Sequence, residues 1–419
     1  MLISTARPVG VCFCLLALAV PAFGQQVLTL PEALARTVAR NPELRVLGYQ
    51  REALEGELTQ ASLAPNPELH VALQDVIGTD VYSGFDSAET TITLGWLLER
   101  GVRERRIDSA RAGLELGDAD AEIARLDAAA GTARRFIMCL AYQARLRWAE
   151  DAVRLATETV TAVRERVAAS RAPAAELARA EAALARAELI EEDYEHELLS
   201  ATHRLSAQWG ETAPDFTTVA GDLMNLPALE TFAALTARTN QNPDLARYLS
   251  QQRLRVAELA LAQAQARPAW QLSAGLRRFE ASDDVALVGG ITIPLTVRNR
   301  NEGRIAAARA NLARIDAERA AAEVRIETAL FVLHQELNHY LQTAQRLQAD
   351  IVPLLEQALV DTRRAYELGR YSYLDWRAVQ NELLEAHEAL LEASIDAHGI
   401  AIEIERLTGV AMAPAITAQ

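Results

Sequence analysis

The chain has 419 residues, 50% hydrophobic but only 5% aromatic, and its 14 Pro and 20 Gly are few for that length, a composition of long helices rather than of a packed α/β enzyme. Its 57 acidic residues outnumber 42 basic ones, and the net charge of −15 argues against a nucleic-acid partner. Every basic residue is Arg, so Schiff-base chemistry and the lysine of a phosphate-binding loop are both excluded.

Residues 1–24 read as a secretory signal. Arg7 supplies the positive start, Val9 to Val20 an apolar core, and Ala22-Phe23-Gly24 a small-residue cleavage site before Gln25. The 12 residues of that core are too few to span a bilayer. Cleavage leaves 41 basic residues against 57 acidic, a net charge of −16. It removes Cys12 and Cys14 and leaves Cys139, on an apolar helical stretch, as a small core residue. Gln25, not Cys, stands immediately after the cleavage point, so no lipid anchor is expected. The protein is expected to be exported. No later apolar run approaches the ~18 residues of a transmembrane helix. The mature chain is therefore periplasmic, secreted, or a membrane protein built from strands.

A direct repeat organises the rest. Leu34-Ala35-Arg36-Thr37 and Asn41-Pro42-Glu43-Leu44 return as Leu235-Thr236-Ala237-Arg238 and Asn242-Pro243-Asp244-Leu245, an offset of 201. The Arg106-Ile107 stretch returns at Arg304-Ile305, and Arg204-Leu205 at Arg406-Leu407, just ahead of Gly210 and Gly409. One order and nearly one offset mark two copies of a single unit, at 25–227 and 228–419.

Each unit opens with a short helix that stops at Asn-Pro, because the residue before Pro is pushed out of the α region. A second helix follows, ended by Pro65 in one copy and Pro268 in the other. Then come two strands, predicted at about 67–75 and 89–98, and again at about 269–279 and 285–295. Leu69, Val71 and Leu73 alternate with His70, Ala72 and Gln74, and Trp270, Leu272 and Leu276 with Gln271, Ser273 and Arg277. Such alternation gives a strand one apolar and one polar face. Long helix follows, free of Pro except at Pro353, predicted over 103–169 and 174–209 in the first unit and over 300–367 and 373–408 in the second. The first of these would be about 100 Å long at 1.5 Å per residue. Two shorter helices end to end nearly match it, which suggests a bundle of one long helix against two short ones in line.

Four strands cannot close a barrel, and lipid tolerates no open sheet edge. Strands in lipid therefore require several chains, with the helices extending the tube on one side. Trp96 and Trp270 lie near strand ends, where an aromatic girdle is expected. The competing reading is a soluble hairpin domain capping a coiled coil.

The layout of duplicated strand pairs and long helices resembles the TolC-like outer membrane efflux family over essentially the whole mature chain. The opening from Leu30 to Leu44, with its Asn-Pro-Glu-Leu, is similar to that family's recurrent start. Ile293-Pro294-Leu295 with Arg298-Asn299-Arg300-Asn301-Glu302-Gly303-Arg304-Ile305 resembles its second strand exit, in a form especially similar to the cobalt–zinc–cadmium resistance branch. Trp96-Leu97-Leu98-Glu99-Arg100-Gly101-Val102-Arg103 is like the first exit, with one Gly and no Lys. The resemblance implies an α+β membrane protein: a homotrimer with a twelve-stranded β-barrel in the outer membrane lipid of a Gram-negative bacterium and an α-helical coiled-coil tunnel in the periplasm. It implies a periplasmic membrane-fusion adaptor and an inner-membrane RND pump as partners, and heavy-metal cations as cargo. Drugs or a secreted protein are the alternative cargo. A periplasmic coiled-coil adaptor or scaffold without a pore is the alternative of another class, against which the duplicated strand pairs count.

The two helix-to-helix turns, Ala168 to Pro173 and Glu367 to Ser372, should form the periplasmic tip. Ser170, Arg171, Leu368, Gly369 and Arg370 are the candidate adaptor contacts, the Leu-Gly-Arg turn resembling the family's tip. Gly369 equally suits a left-handed helix cap. Asp375 matches an acidic position that narrows the family's closed tunnel, and Glu176 holds the same place in the first unit. Three copies of Asp375 would make a ring favouring cations, whereas a first-turn acid also suits the helix dipole. Tyr371 stands where the family has a tip Arg. His334 and His339, His196 and His203, and His387 and His398 lack a third ligand in local register and read as solvated helix faces. There is no phosphate loop, Ser elbow or HExxH. No enzyme, cofactor or metal site is expected.

Overall fold

The computed structural model describes residues 27–409, so the signal segment lies outside the described residues. Strand β1 (Val27–Leu28) leads into helices α1 (Leu30–Arg40) and α2 (Pro42–Ser62), then strands β2 (Glu68–Gln74) and β3 (Glu89–Leu98). Helix α3 (Val102–Ala168) runs 67 residues unbroken, and α4 (Ala174–Ser206) returns beside it. After β4 (Thr218–Val219) the order repeats: α5 (Phe232–Arg238), α6 (Pro243–Gln265), β5 (Trp270–Phe279), β6 (Asp284–Thr292), α7 (Glu302–Arg346), α8 (Val352–Glu367) and α9 (Tyr373–Thr408). Among the described residues, no helix is long and apolar enough to cross a membrane.

The four long strands form one antiparallel sheet in the order β2-β3-β5-β6. The helices make a layer in a corresponding order. Helices α2 and α4 flank α3 on one side and α6 and α9 on the other, and α7 and α8 lie beyond α6 and α9. Sheet and helix layer thus each end in the first unit on one side and in the second on the other. The fold is two copies of strand pair plus helix pair, with long helices and few strands.

The structure differs from the sequence reading at three places. The second long helix is not continuous, because a five-residue π turn at Leu347–Ile351 separates α7 from α8. Pro353, lacking an N–H, would drive its ring into the carbonyl four residues back, and the extra residue of a π turn relieves that clash. Helix α4 ends at Ser206 and passes into a single 3₁₀ turn, Ala207–Trp209. The short β1 and β4 pair in parallel, a contact of two residues per strand too brief to leave a periodic signal.

That parallel pair belongs to a belt wrapped on the middle of the helices. Phe216, Val219 and Leu223 are buried with Phe136, Ile137 and Leu140 of α3 in the largest core cluster. Gln143 clamps the belt by accepting from the Val219 N–H at 2.7 Å and donating to its carbonyl at 3.1 Å. Cys139 is fully buried there, and burial pushes its thiol up to about 12.

The repeated motifs turn out to be one joint built twice. Asn41 caps α2 by accepting from the N–H groups of Glu43 and Leu44, and its amide donates to the Gln208 carbonyl at 2.8 Å. Asn242 caps α6 through the Leu245 N–H at 2.9 Å, and its amide donates to the Leu407 carbonyl at 2.6 Å. Gly210 and Gly409 sit at φ +80° and +67°, and a Cβ on either would press on Pro42 or Pro243. Each Asn-Pro therefore locks the start of one helix to the end of another.

Candidate functional site: the two-faced sheet and the tip

The register puts apolar side chains in rows across one face of the sheet. Val71 pairs with Ile92, Ile92 with Leu276, and Leu276 with Leu287. A neighbouring row takes Trp96, Leu272 and Ile291. These side chains are exposed in the single chain, Leu287 by 86% and Val71 by 59%. The opposite face is polar: Arg277 donates to the Glu89 carboxylate and the Thr91 hydroxyl, each at 2.9 Å. Trp270 lies at the helix-side end of its strand with the Arg100 guanidinium 4.7 Å above its ring, the amphipathic arrangement of a membrane interface. Both sheet edges, β2 and β6, are open.

Backbone at the junctions turns strand into helix. Gly101 and Asn301 occupy equivalent places and both take left-handed conformations, φ +86° and +59°. Arg106 beside the first junction donates to the carbonyls of Ala61 and Leu63 and to Glu99, sealing the end of α2. In the second unit the Asn301 amide seals α6 through the Ala262 carbonyl at 2.8 Å.

At the other end, the two tip turns have one geometry. The Arg171 N–H reaches back to the Arg166 carbonyl at 2.8 Å, and the Arg370 N–H to the Ala365 carbonyl at 2.8 Å, the closure typical of a left-handed helix cap. The left-handed residue is Ser170 (φ +54°) in the first and Gly369 (φ +75°) in the second. Arg166 ties the turns together: its guanidinium donates to the Tyr366 carbonyl, to Glu367 and Arg171 carbonyls at 3.3 and 3.4 Å, and lies 4.6 Å from the Tyr366 ring. Beneath them Val160, Val163, Tyr366, Tyr373 and Trp376 form a small core.

These features meet in known proteins. The profile of the outer membrane efflux protein family matches residues 33–211. Over 394 residues, 93% of each chain, the sequence is 27% identical to the cobalt-zinc-cadmium resistance protein CzcC of Cupriavidus metallidurans. The chain is similar to the outer membrane efflux protein family over its first repeat. Among solved structures of like fold, a membrane protein from Pseudomonas aeruginosa superposes at a TM-score of 0.75 with 17% identity, covering 93% of this chain and 92% of that one. CusC superposes at 0.72 with 17% identity, over 91% of this chain and 92% of that one. VceC of Vibrio cholerae superposes at 0.69 with 19% identity, over 91% and 96%.

The residues singled out from sequence fall in two groups. Ser170, Arg171, Leu368, Gly369 and Arg370 lie together in the paired turns, all exposed. Asp375 is also exposed and closes a capping box, accepting from the Ser372 N–H at 2.9 Å and hydroxyl at 2.7 Å. Those hydrogen bonds hold its carboxyl below the usual range. Glu176 accepts from the Tyr366 hydroxyl at 3.3 Å, and burial with that carboxylate pushes the phenol up to about 12. Sequence reasoning missed Arg166, one Arg among many whose role depends on a turn 200 residues away. Among the described residues, no cluster of three metal-ligating side chains occurs. His398 is buried on the Leu223 carbonyl and His387 stacks on Trp148.

Proposed function

We propose that this chain is the outer membrane exit duct of a tripartite RND-type efflux system, carrying heavy-metal cations from a periplasmic adaptor and inner-membrane pump to the outside. The sheet carries the reading: apolar on one face, polar on the other, open at both edges. Backbone edges must be paired in lipid. In the order β2-β3-β5-β6 the strands alternate in direction, so β6 of one copy meets β2 of the next antiparallel and the pattern closes. Two copies would give eight strands, whose interior side chains fill. Three copies give twelve and leave a lumen.

The likeness to a protein named for cobalt, zinc and cadmium resistance supports metal cations as cargo, as does the acidic excess. Three Asp375 carboxylates around the tip, with Glu176 behind them, would form a cation-favouring aperture. The exposed turns with Ser170, Arg171, Leu368, Gly369 and Arg370 would meet the adaptor. Export by the segment 1–24 to the outer membrane of a Gram-negative bacterium completes the reading.

The test is light scattering on the detergent-extracted protein, followed by metal sensitivity of a deletion strain. A three-chain particle and restored cobalt, zinc or cadmium resistance on complementation are expected. A soluble single chain refutes the duct. A strain that regains drug resistance but not metal resistance refutes the cargo.

A further inference from the structure

Between the belt and the tip, α4 and α9 both pack on α3 and leave a cleft between them. Its floor is lowered by small side chains: Ala149, Ala152 and Ala156 of α3, Ala183 and Ala187 of α4. Ile190 and Leu384 add apolar wall. The cleft holds about 370 Å³, within the roughly 300–1,000 Å³ of small-molecule sites and room for roughly a dozen waters.

The polar groups of the cleft are sorted along its length. Counted from the tip turns at 1.5 Å per residue, Arg377 and Arg186 stand at its lower end, roughly 6 and 18 Å up. Trp148, Tyr194 and His387 stand at the upper end, roughly 21 to 30 Å up. There the His387 ring lies 5.1 Å from that of Trp148, and burial holds the imidazole below its ordinary value and so neutral. Burial likewise raises the Tyr194 phenol, which keeps its proton. Among the described residues, none of these three aromatic side chains has a hydrogen bond within the chain. The Trp148 indole and the two guanidinia can only donate, so the groups left open here call for an acceptor.

Charge tells which acceptor. Arg145 is neutralised by Glu388 at 2.7 Å. Arg377 reaches the Gln380 amide oxygen at 3.3 Å but no carboxylate, and Arg186 has no ion pair among the described residues. Against these two cations stands one unpaired carboxylate, Glu385 on the exposed rim. The balance is one positive charge, in a chain whose 57 acidic residues outnumber 42 basic ones. We propose that the cleft binds an aromatic organic monoanion, with its ring system on the alanine floor beside Trp148 and its acid group at Arg186 and Arg377. The occupant would brace α3, α4 and α9 against one another above the tip turns. The site goes beyond the exit-duct reading and does not depend on it, because every lining residue belongs to one chain.

The test is calorimetric titration of the full-length, detergent-extracted protein with naphthoate and with its uncharged isostere naphthamide. Naphthoate should bind at least tenfold more tightly. Arg186→Gln with Arg377→Gln should weaken naphthoate at least tenfold and leave naphthamide unchanged. Ala187→Leu, which fills the floor, should abolish binding of both. Arg186 is exposed and Arg377 half-buried, so the double variant keeps its fold even where the floor variant does not. Equal affinity for the two probes, naphthoate binding unchanged in the double variant, or binding retained by a folded Ala187 variant overturns the site. Light scattering on the same sample reports on the duct separately. A single chain that still binds refutes the ring and keeps the site, whereas a three-chain particle that binds neither probe refutes the site alone.

Discussion

Leu287 lies mid-strand at the end of the row Val71–Ile92–Leu276–Leu287, 86% exposed in the single chain. If that row faces hydrocarbon, Leu287→Arg sets a guanidinium near the bilayer midplane, at a cost of about 2–4 kcal/mol per chain. At 1.4 kcal/mol per decade, that lowers the folded-to-unfolded ratio by roughly thirty- to several-hundred-fold. Val288→Arg is the control, because successive residues of a strand point to opposite faces and Val288 shares the polar face with Gly275 and Thr93. The assay is the fraction of heat-modifiable, folded protein across a urea titration in detergent-free vesicles. The Leu287 variant should shift its midpoint down strongly, and the Val288 variant should fold like the parent with altered single-channel conductance. Equal loss in both, or loss in the Val288 variant alone, refutes the assignment of faces.

Arg166→Ala should release the tip, since a hydrogen bond from a charged donor is worth about 1.5–3 kcal/mol; amide exchange over residues 364–371 should rise at least tenfold while the strands stay protected. Asn242→Ala should cost about 1–3 kcal/mol, from the lost cap and an orphaned Leu407 carbonyl, and more than Asn41→Ala because Asn242 is wholly buried; the two should add in thermal melts. Glu405 is raised to about 7 by burial and by Glu230. The folded chain therefore holds this proton more tightly than the unfolded chain, and stability falls as pH rises from about 4.5 through 7. Glu405→Gln should raise the melting temperature at pH 8 and leave it nearly unchanged at pH 4.5; a uniform shift at both would refute that cause.

Repeat, strands and long helices are legible in the sequence for one reason: each rests on local periodicity. Leu69, Val71 and Leu73 alternate whatever they face, and Pro-free stretches are helical whatever packs on them. The Asn-Pro repeat is visible as well, but its purpose is not, because the Gln208 and Leu407 carbonyls that it binds lie about 165 residues away. Arg166 is equally silent among the 42 basic residues. The first tip turn also hides its left-handed residue, which is a Ser where the second has Gly.

By itself the sequence determined the class of molecule: an acidic chain of two copies of a strand pair and a helix pair. Those traits follow from spacing and composition, which act over a few residues. Only the tertiary structure decided the strand order that puts both open edges on opposite sides, the belt held by Gln143, and the tip joined by Arg166. It alone decided that Pro353 is absorbed by a π turn, because the end of α7, the turn and α8 all pack on α9 and one inserted residue keeps that seam.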